Sequence, residues 1–161
     1  MPKSARVSAY PGFVPYCDPT LSEHAPRGDG WAHEIKADGY RAQAHLIDGK
    51  VTVYSRRGHD WTNQFGAIAQ AAKHLKARQA ILDGEAVVLA SSGVADFHAL
   101  RHELGKRNSD FLIYQAFDLL YLDGFDMRPA QYVERKAALK DCSLMRPLLC
   151  PMSNTWRATA R

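Results

Sequence analysis

Apolar residues fall along this chain in two rhythms, and the first thirty positions show neither. There Pro2, Pro11, Pro15, Pro19 and Pro26 remove N–H donors and fix φ, which predicts an extended arm over residues 1–30 and no element. From Trp31 the pattern shortens into three runs, Trp31–Asp38, Arg41–Ile47 and Val51–Arg56. His45/Ile47 and Val51/Val53 supply roughly alternating faces, and Asp48-Gly49 between the last two runs tolerates positive φ. An antiparallel meander is predicted. Phe65, Ile68, Ala69, Ala72 and Leu75 then recur at helical spacing, predicting a helix capped by Thr62 and running through Leu75. Ala80–Leu89 reads as a strand, with the glycine of Asp83-Gly84-Glu85 marking a bulge or a close backbone approach. Asp96 is placed to cap a short helix, Phe97–Leu104; Phe111–Leu122 reads as a buried strand ending in the turn Asp123-Gly124; Gln131–Lys140 reads as a charged helix. The fold class is α+β, with mostly antiparallel sheet and flanking helices.

Composition narrows this picture without changing it. The 161 residues are 46% hydrophobic and 24% charged, a globular balance with enough chain for one core. A net charge of +4 permits a polyanionic partner without requiring one. No apolar run approaches the ~20 residues a helix needs to cross a bilayer, which argues against a membrane partner. The opening Met-Pro-Lys-Ser-Ala-Arg lacks the apolar stretch of a signal peptide, so a cytoplasmic, nucleoid-associated location is expected. Three cysteines, Cys17, Cys142 and Cys150, form no C-x-x-C pattern, which fits a reducing compartment and argues against structural zinc. Three segments result: the arm 1–30, a folded body 31–141, and an atypical tail 142–161 that has no period and no acidic residue.

The chemistry concentrates in Glu34-Ile-Lys36-Ala-Asp38-Gly39-Tyr40-Arg41. A turn at Gly39 would fold Arg41 back beside Lys36, placing a potential nucleophile and a permanent cation around one shared anion. Such a lysine attacks only as the free amine, a form that neighbouring positive charge or desolvation favours. Taken singly, each candidate also has a plain reading. Lys36 and Arg41 could be solvated side chains flanking an Asp-Gly turn, and Glu85 an exposed strand acid. Phe117 could be core, and Arg56-Arg57 a basic hairpin end. His98 and His102 have the i,i+4 spacing of metal ligands but no third ligand, and read as a solvated helix face. His33, a strand neighbour of Glu34, reads as facing away from the site.

In combination these residues carry a resemblance. Lys36-x-Asp38-Gly39-x-Arg41, Ser55-Arg56-Arg57-Gly58, Asp83-Gly84-Glu85 and Phe117-Asp118-Leu119-Leu120 stand in the order and spacing of a nucleotidyltransferase signature. Residues about 13–141 resemble the adenylation domain of bacterial ATP-dependent DNA ligases. The flavour of Trp31–Arg41 is that of the end-joining repair type. The resemblance implies an ATP-grasp-like nucleotidyltransferase fold, present in part, with ATP and Mg²⁺ as cofactors and nicked or broken double-stranded DNA as partner. Ku or a polymerase module could stand beside it. It implies that Lys36 forms lysyl-AMP and that Glu34, placed on the face of Lys36 by strand alternation, accepts a hydrogen bond from the adenine amino group. Arg41 would meet the nucleotide sugar and phosphates. Arg56 would meet the α-phosphate and later the 5′-phosphate of nicked DNA. Glu85 would hold the ribose or Mg²⁺, Phe117 would stack on adenine, and Asp38 would support the turn.

The chain also departs from that pattern. The family's downstream E-G-x-x-x-K and K-x-K segments and its OB-fold domain are not found in it. Glu134-Arg135-Lys136 reads as a helix charge cluster, and 142–161 as an out-of-frame or artificial end outside the resemblance. A C-terminally truncated domain is therefore expected, with apolar faces left open to self-association and no nick sealing by this chain alone. Two other functions fit: an inactive nucleotide- or DNA-binding remnant using Arg41, Arg56 and Arg57 on phosphates, and an RNA ligase or capping-type nucleotidyltransferase.

Overall fold

Two Asp-Gly pairs set the frame of the molecule. In the computed structural model, Asp48 and Gly49 have φ of 45° and 83°, and Asp123 and Gly124 have 44° and 92°. Two consecutive left-handed residues are what a tight hairpin requires, because that backbone matches the twist of the flanking strands. The structure describes residues 1–17, 20–28, 30–34, 36–104 and 111–143. In chain order the strands are β1 (Arg6–Val7), β2 (Tyr40–Ile47), β3 (Lys50–Ser55), β4 (Gln79–Val87), β5 (Ile113–Leu122) and β6 (Phe125–Asp126). The helices are α1 (Gly66–Ala72), α2 (Phe97–Leu104) and α3 (Tyr132–Ser143). All strand pairs are antiparallel, in one sheet ordered β1-β6-β5-β4-β2-β3.

The sheet is covered on both faces, and by different means. Ala42, Ala44 and Leu46 of β2 join Val51 and Val53 of β3 in the main core. Ile68 and Ala72 of α1, Leu100 of α2 and Leu139 of α3 close the same core. The alternate residues of β2 turn the other way, which puts Arg41, Gln43 and His45 opposite Glu85, Asp83 and Ile81 of β4. The N-terminal arm lies over that face. Val14 exchanges hydrogen bonds with the Gln43 side chain, donating from its N–H at 3.2 Å and accepting at its carbonyl at 2.6 Å. Gln43 Oε1 also accepts from His45 Nε2 at 3.0 Å, so His45 Nδ1 is left to accept from the Tyr10 hydroxyl. The arm is thus a sheet cover that contributes its own edge strand, β1, and not a bare extended leader.

Gly84 sits where strand and core are tightest. A Cβ there would lie 2.6 Å from Cζ of Tyr114, whose hydroxyl bonds the carbonyls of Ala42 and Leu82 at 2.9 and 3.0 Å. The register slips beside it, between Asp83 and Gly84, and the extra residue belongs to the facing strand. Phe117 has no Cα partner on β4, so it forms the bulge.

Two expected elements differ. The described residues of Trp31–Asp38 form no strand, because β3 and β4 already occupy both edges of β2 and leave no place for a third run beside it. Thr62 caps no helix. Its N–H and hydroxyl go to Asp60 Oδ1 at 2.9 and 2.5 Å, its oxygen accepts from Val53 N at 3.0 Å, and α1 begins only at Gly66 with no side-chain cap. Beyond Ala72 the chain continues to Leu75 in i→i−3 turns, which keeps Leu75 buried. Asp96 does cap α2, accepting from Ala99 N at 2.9 Å. Gln131 N donates to Glu134 Oε2 at 3.3 Å to open α3.

Candidate active site

The start of β2, the end of β3 and the last turns of β4 meet at one end of the sheet, around a cavity of about 740 Å³. That volume is of the size that takes a small-molecule ligand. Lys36, Asp38 and Gly39 line it from the approach to β2, with Tyr40 and Arg41 from the strand itself. Ser55, Arg56, Arg57 and His59 line it after β3, Trp61 and Phe65 ahead of α1, and Glu85 from β4. The structure therefore gathers Lys36, Arg41, Arg56 and Glu85 from three separate stretches of sequence.

Local backbone explains how. A Cβ on Gly39 would run into the Ala86 carbonyl and the Glu85 side chain, so only glycine lets this loop lie against β4. From there the Gly39 N–H donates to the Glu85 carboxylate. Burial pushes the Glu85 carboxyl above the usual carboxylate range, with Lys36 and then Arg41 pulling against it. After β3, Gly58 N bonds Ser55 O at 2.9 Å and Ser55 N bonds His59 O at 2.9 Å, closing a tight turn. Gly58 takes φ of 77° there, with the Phe13 ring 3.2 Å from where a Cβ would stand. This turn holds Arg56 and Arg57 exposed at the rim. Ser55 Oγ is buried in the wall with no hydrogen-bond partner among the described residues.

Arg41 lines the cavity together with Lys36 and is already paired within the protein. Its guanidinium forks onto Asp83, with Nη2–Oδ2 at 2.9 Å and Nε–Oδ1 at 3.3 Å. It also lies over the rings of Tyr16 at 4.5 Å and Phe117 at 5.5 Å. Burial pushes the Asp83 carboxyl up, and the Arg41 fork opposes it. Asp83 and Tyr16 are site residues that sequence reasoning passed over. Asp83 was legible in principle, since it lies two positions from Glu85 on one strand face.

Glu34 and Phe117 lie beside this cavity and not in its lining. The described residues around Glu34 are not a strand, so alternation does not put it on the face of Lys36. Instead Glu34 Oε1 accepts from Lys136 Nζ at 2.6 Å, and the same ammonium donates to the Phe117 carbonyl at 3.0 Å. Next to it, Arg135 forks onto Asp118 at 2.7 and 2.8 Å. Two members of the charge cluster on α3, Arg135 and Lys136, therefore turn toward the sheet. The signal was present: Lys136, Leu139 and Cys142 fall at i, i+3, i+6 along the buried stripe of α3. His98 bonds Arg101 at 3.2 Å, His102 lies 3.6 Å from Glu103, and among the described residues no three His, Cys, Asp or Glu side chains cluster to hold a metal.

The chain is also similar to known proteins. Residues 17–151 match the family model described as the ATP dependent DNA ligase domain. That span reaches past residue 141, so the family likeness includes the first part of the tail that the sequence reading had set outside it. The chain is 40% identical over 121 residues to the multifunctional non-homologous end joining protein LigD of Pseudomonas aeruginosa, a match covering 75% of this chain and 14% of that protein. It is 36% identical over 138 residues to the LigD DNA repair protein of Mycobacterium tuberculosis, covering 83% and 18%. Among solved structures, a mycobacterial DNA ligase D complexed with ATP and MES superimposes with a TM-score of 0.58 at 37% identity, covering 67% of this chain and 35% of that one. The chain thus spans under a fifth of the curated relatives' length and about a third of the solved domain.

Proposed function

The chain belongs to the ATP-dependent DNA ligase family, and from that premise we propose that its cavity binds ATP and that Lys36 takes AMP from it. The carrying observation is the donor set around one cavity of nucleotide size: the Lys36 amine, the Arg56 and Arg57 cations, and a half-buried acid, Glu85. In the reaction the free amine of Lys36 attacks the α-phosphorus. A P–N bond forms, the bond to the pyrophosphate oxygen breaks, and the amine proton leaves to solvent. Arg56 and Arg57 at the rim draw the phosphates in by charge, and the orphaned Ser55 hydroxyl fits a phosphate oxygen. Arg41, fixed by Asp83 and the flanking rings, supports the floor of the site, and Glu34 with Phe117 serves the base. Asp38 completes the turn that presents Lys36.

Glu85 fits Mg²⁺ as a single oxygen ligand. With no three-residue cluster of candidate ligands among the described residues, the remaining ligands would be phosphate oxygens and water, as this ion prefers. The ion would neutralise charge on the phosphates. The onward steps, transfer of AMP to a DNA 5′-phosphate and joining of the nick, belong in this reading to the full enzyme, with this chain supplying only the first step, AMP transfer to Lys36. The reading is supported by relatives named as end-joining proteins and a structural neighbour named as a DNA ligase. The same names favour DNA over RNA or cap substrates. Exchange of labelled pyrophosphate into ATP tests the reading. Exchange that requires Mg²⁺ and disappears in Lys36→Ala is expected; exchange that persists in Lys36→Ala contradicts it.

A further inference from the structure

Lys136 touches both residues assigned to the base. It reaches Glu34 across 102 positions of sequence and the Phe117 carbonyl across 19. That carbonyl belongs to the bulge residue of β5, which has no partner in the β4 register. The ammonium also lies 5.6 Å from the centre of the Tyr132 ring. The Lys136 side chain is 9% exposed and that of Glu34 39%, so the pair is closed toward α3 and open on its other side. An ionised carboxylate offers acceptors only. Any base edge meeting the open side of Glu34 must therefore bring a donor.

We propose that Lys136 is a positioning residue for nucleobase choice. Its bonds to Glu34 and to the Phe117 carbonyl hold the carboxylate beside the Phe117 bulge, so that the site takes a purine with a 6-amino group and rejects one with a 6-oxo group. A 6-oxo purine would set acceptor against acceptor and leave both unpaired, which is how a polar site discriminates steeply. This inference rests on the adenylation reading above.

The test compares ATP and GTP as nucleotide donors to the full chain, measured as transfer of AMP or GMP to protein. The chain should prefer ATP. In Lys136→Met, which keeps the aliphatic stem against Tyr132, the preference should fall about tenfold or more, through KM for ATP with little change in maximal rate. Lys136→Gln, which keeps a weaker donor at this position, should move it the same way by a smaller factor, and it decides the matter if Lys136→Met does not fold. A lysine that only braces α3 would lower transfer from both nucleotides alike. An unchanged ATP-to-GTP ratio in a folded variant therefore overturns the proposal, as does tighter ATP binding from a released Glu34. If the folded chain accepts neither nucleotide, the adenylation reading falls and this inference with it; transfer from ATP with an unchanged ratio defeats the inference alone.

Discussion

At Gly39 and Gly84 the sequence writes a function into the absence of a side chain, but for different reasons. Gly39 lets the Lys36 loop reach β4, whereas Gly84 leaves room for the Tyr114 ring under the same strand. Gly84→Ala should cost about 1–3 kcal/mol of stability through overpacking, read as a lower urea midpoint with an unchanged slope. Beside it, Glu85 is held partly against its charge. Burial raises its carboxyl, so the ionised form that the proposed metal role needs is lost at a higher pH than for an ordinary glutamate. Pyrophosphate exchange should accordingly decline as pH falls through that raised value, and Glu85→Gln should give a low, flatter profile. A decline of unchanged shape in Glu85→Gln would assign the titration to another group. That Lys36, Glu85 and Arg56 line one cavity was legible through the resemblance, which joins their motifs in one set. The fork from Arg41 to Asp83 was not, since it depends on cross-strand register and not on spacing along one strand.

Among the elements, those defined by local signals were the readable ones. Asp48-Gly49 and Asp123-Gly124 carry their turn conformation in their own residues, and Asp96 carries its cap. Thr62 misled because the nearby Asp60 takes its hydrogen bonds before the helix begins. The arm's role was not legible for a related reason: its proline content describes its backbone, while its role depends on partners far along the chain. That role makes a testable claim through His45. The ring is buried against Tyr10, Tyr54 and Gln43, and burial lowers its pKa from 6.5 to about 4. The depressed value means that stability from the neutral ring is complete above the unfolded value near 6.5 and is lost as pH falls through about 4. Across that window His45 should account for about 3 kcal/mol of lost unfolding free energy. His45→Asn should be weaker at neutral pH and should lose most of that slope in denaturant titrations. An unaltered slope in the variant would show that the arm is not held through this ring.

At the scale of the whole molecule, one sheet separates two kinds of burial. Its helix side is an apolar core of ordinary kind, and its other side is a polar face roofed by the arm, with the nucleotide-sized cavity at the end where both meet. The α+β class and the strand order's antiparallel sense followed from apolar runs and Asp-Gly turns. The inward turn of Arg135 and Lys136 did not, because a charged residue on a helix is read as solvated until a partner strand is known. That inward turn joins α3 to Glu34 and Phe117, the residues proposed for the base, and makes the proposed site a property of the assembled sheet. The central claim is that this assembled site delivers one AMP to one lysine. Intact mass of the chain after incubation with ATP and Mg²⁺, followed by peptide mapping, tests it most directly. The account predicts a gain of a single acid-labile AMP on the peptide containing Lys36, and none in Lys36→Ala. AMP carried on a different residue, or a folded chain that binds ATP and gains no mass, would contradict it.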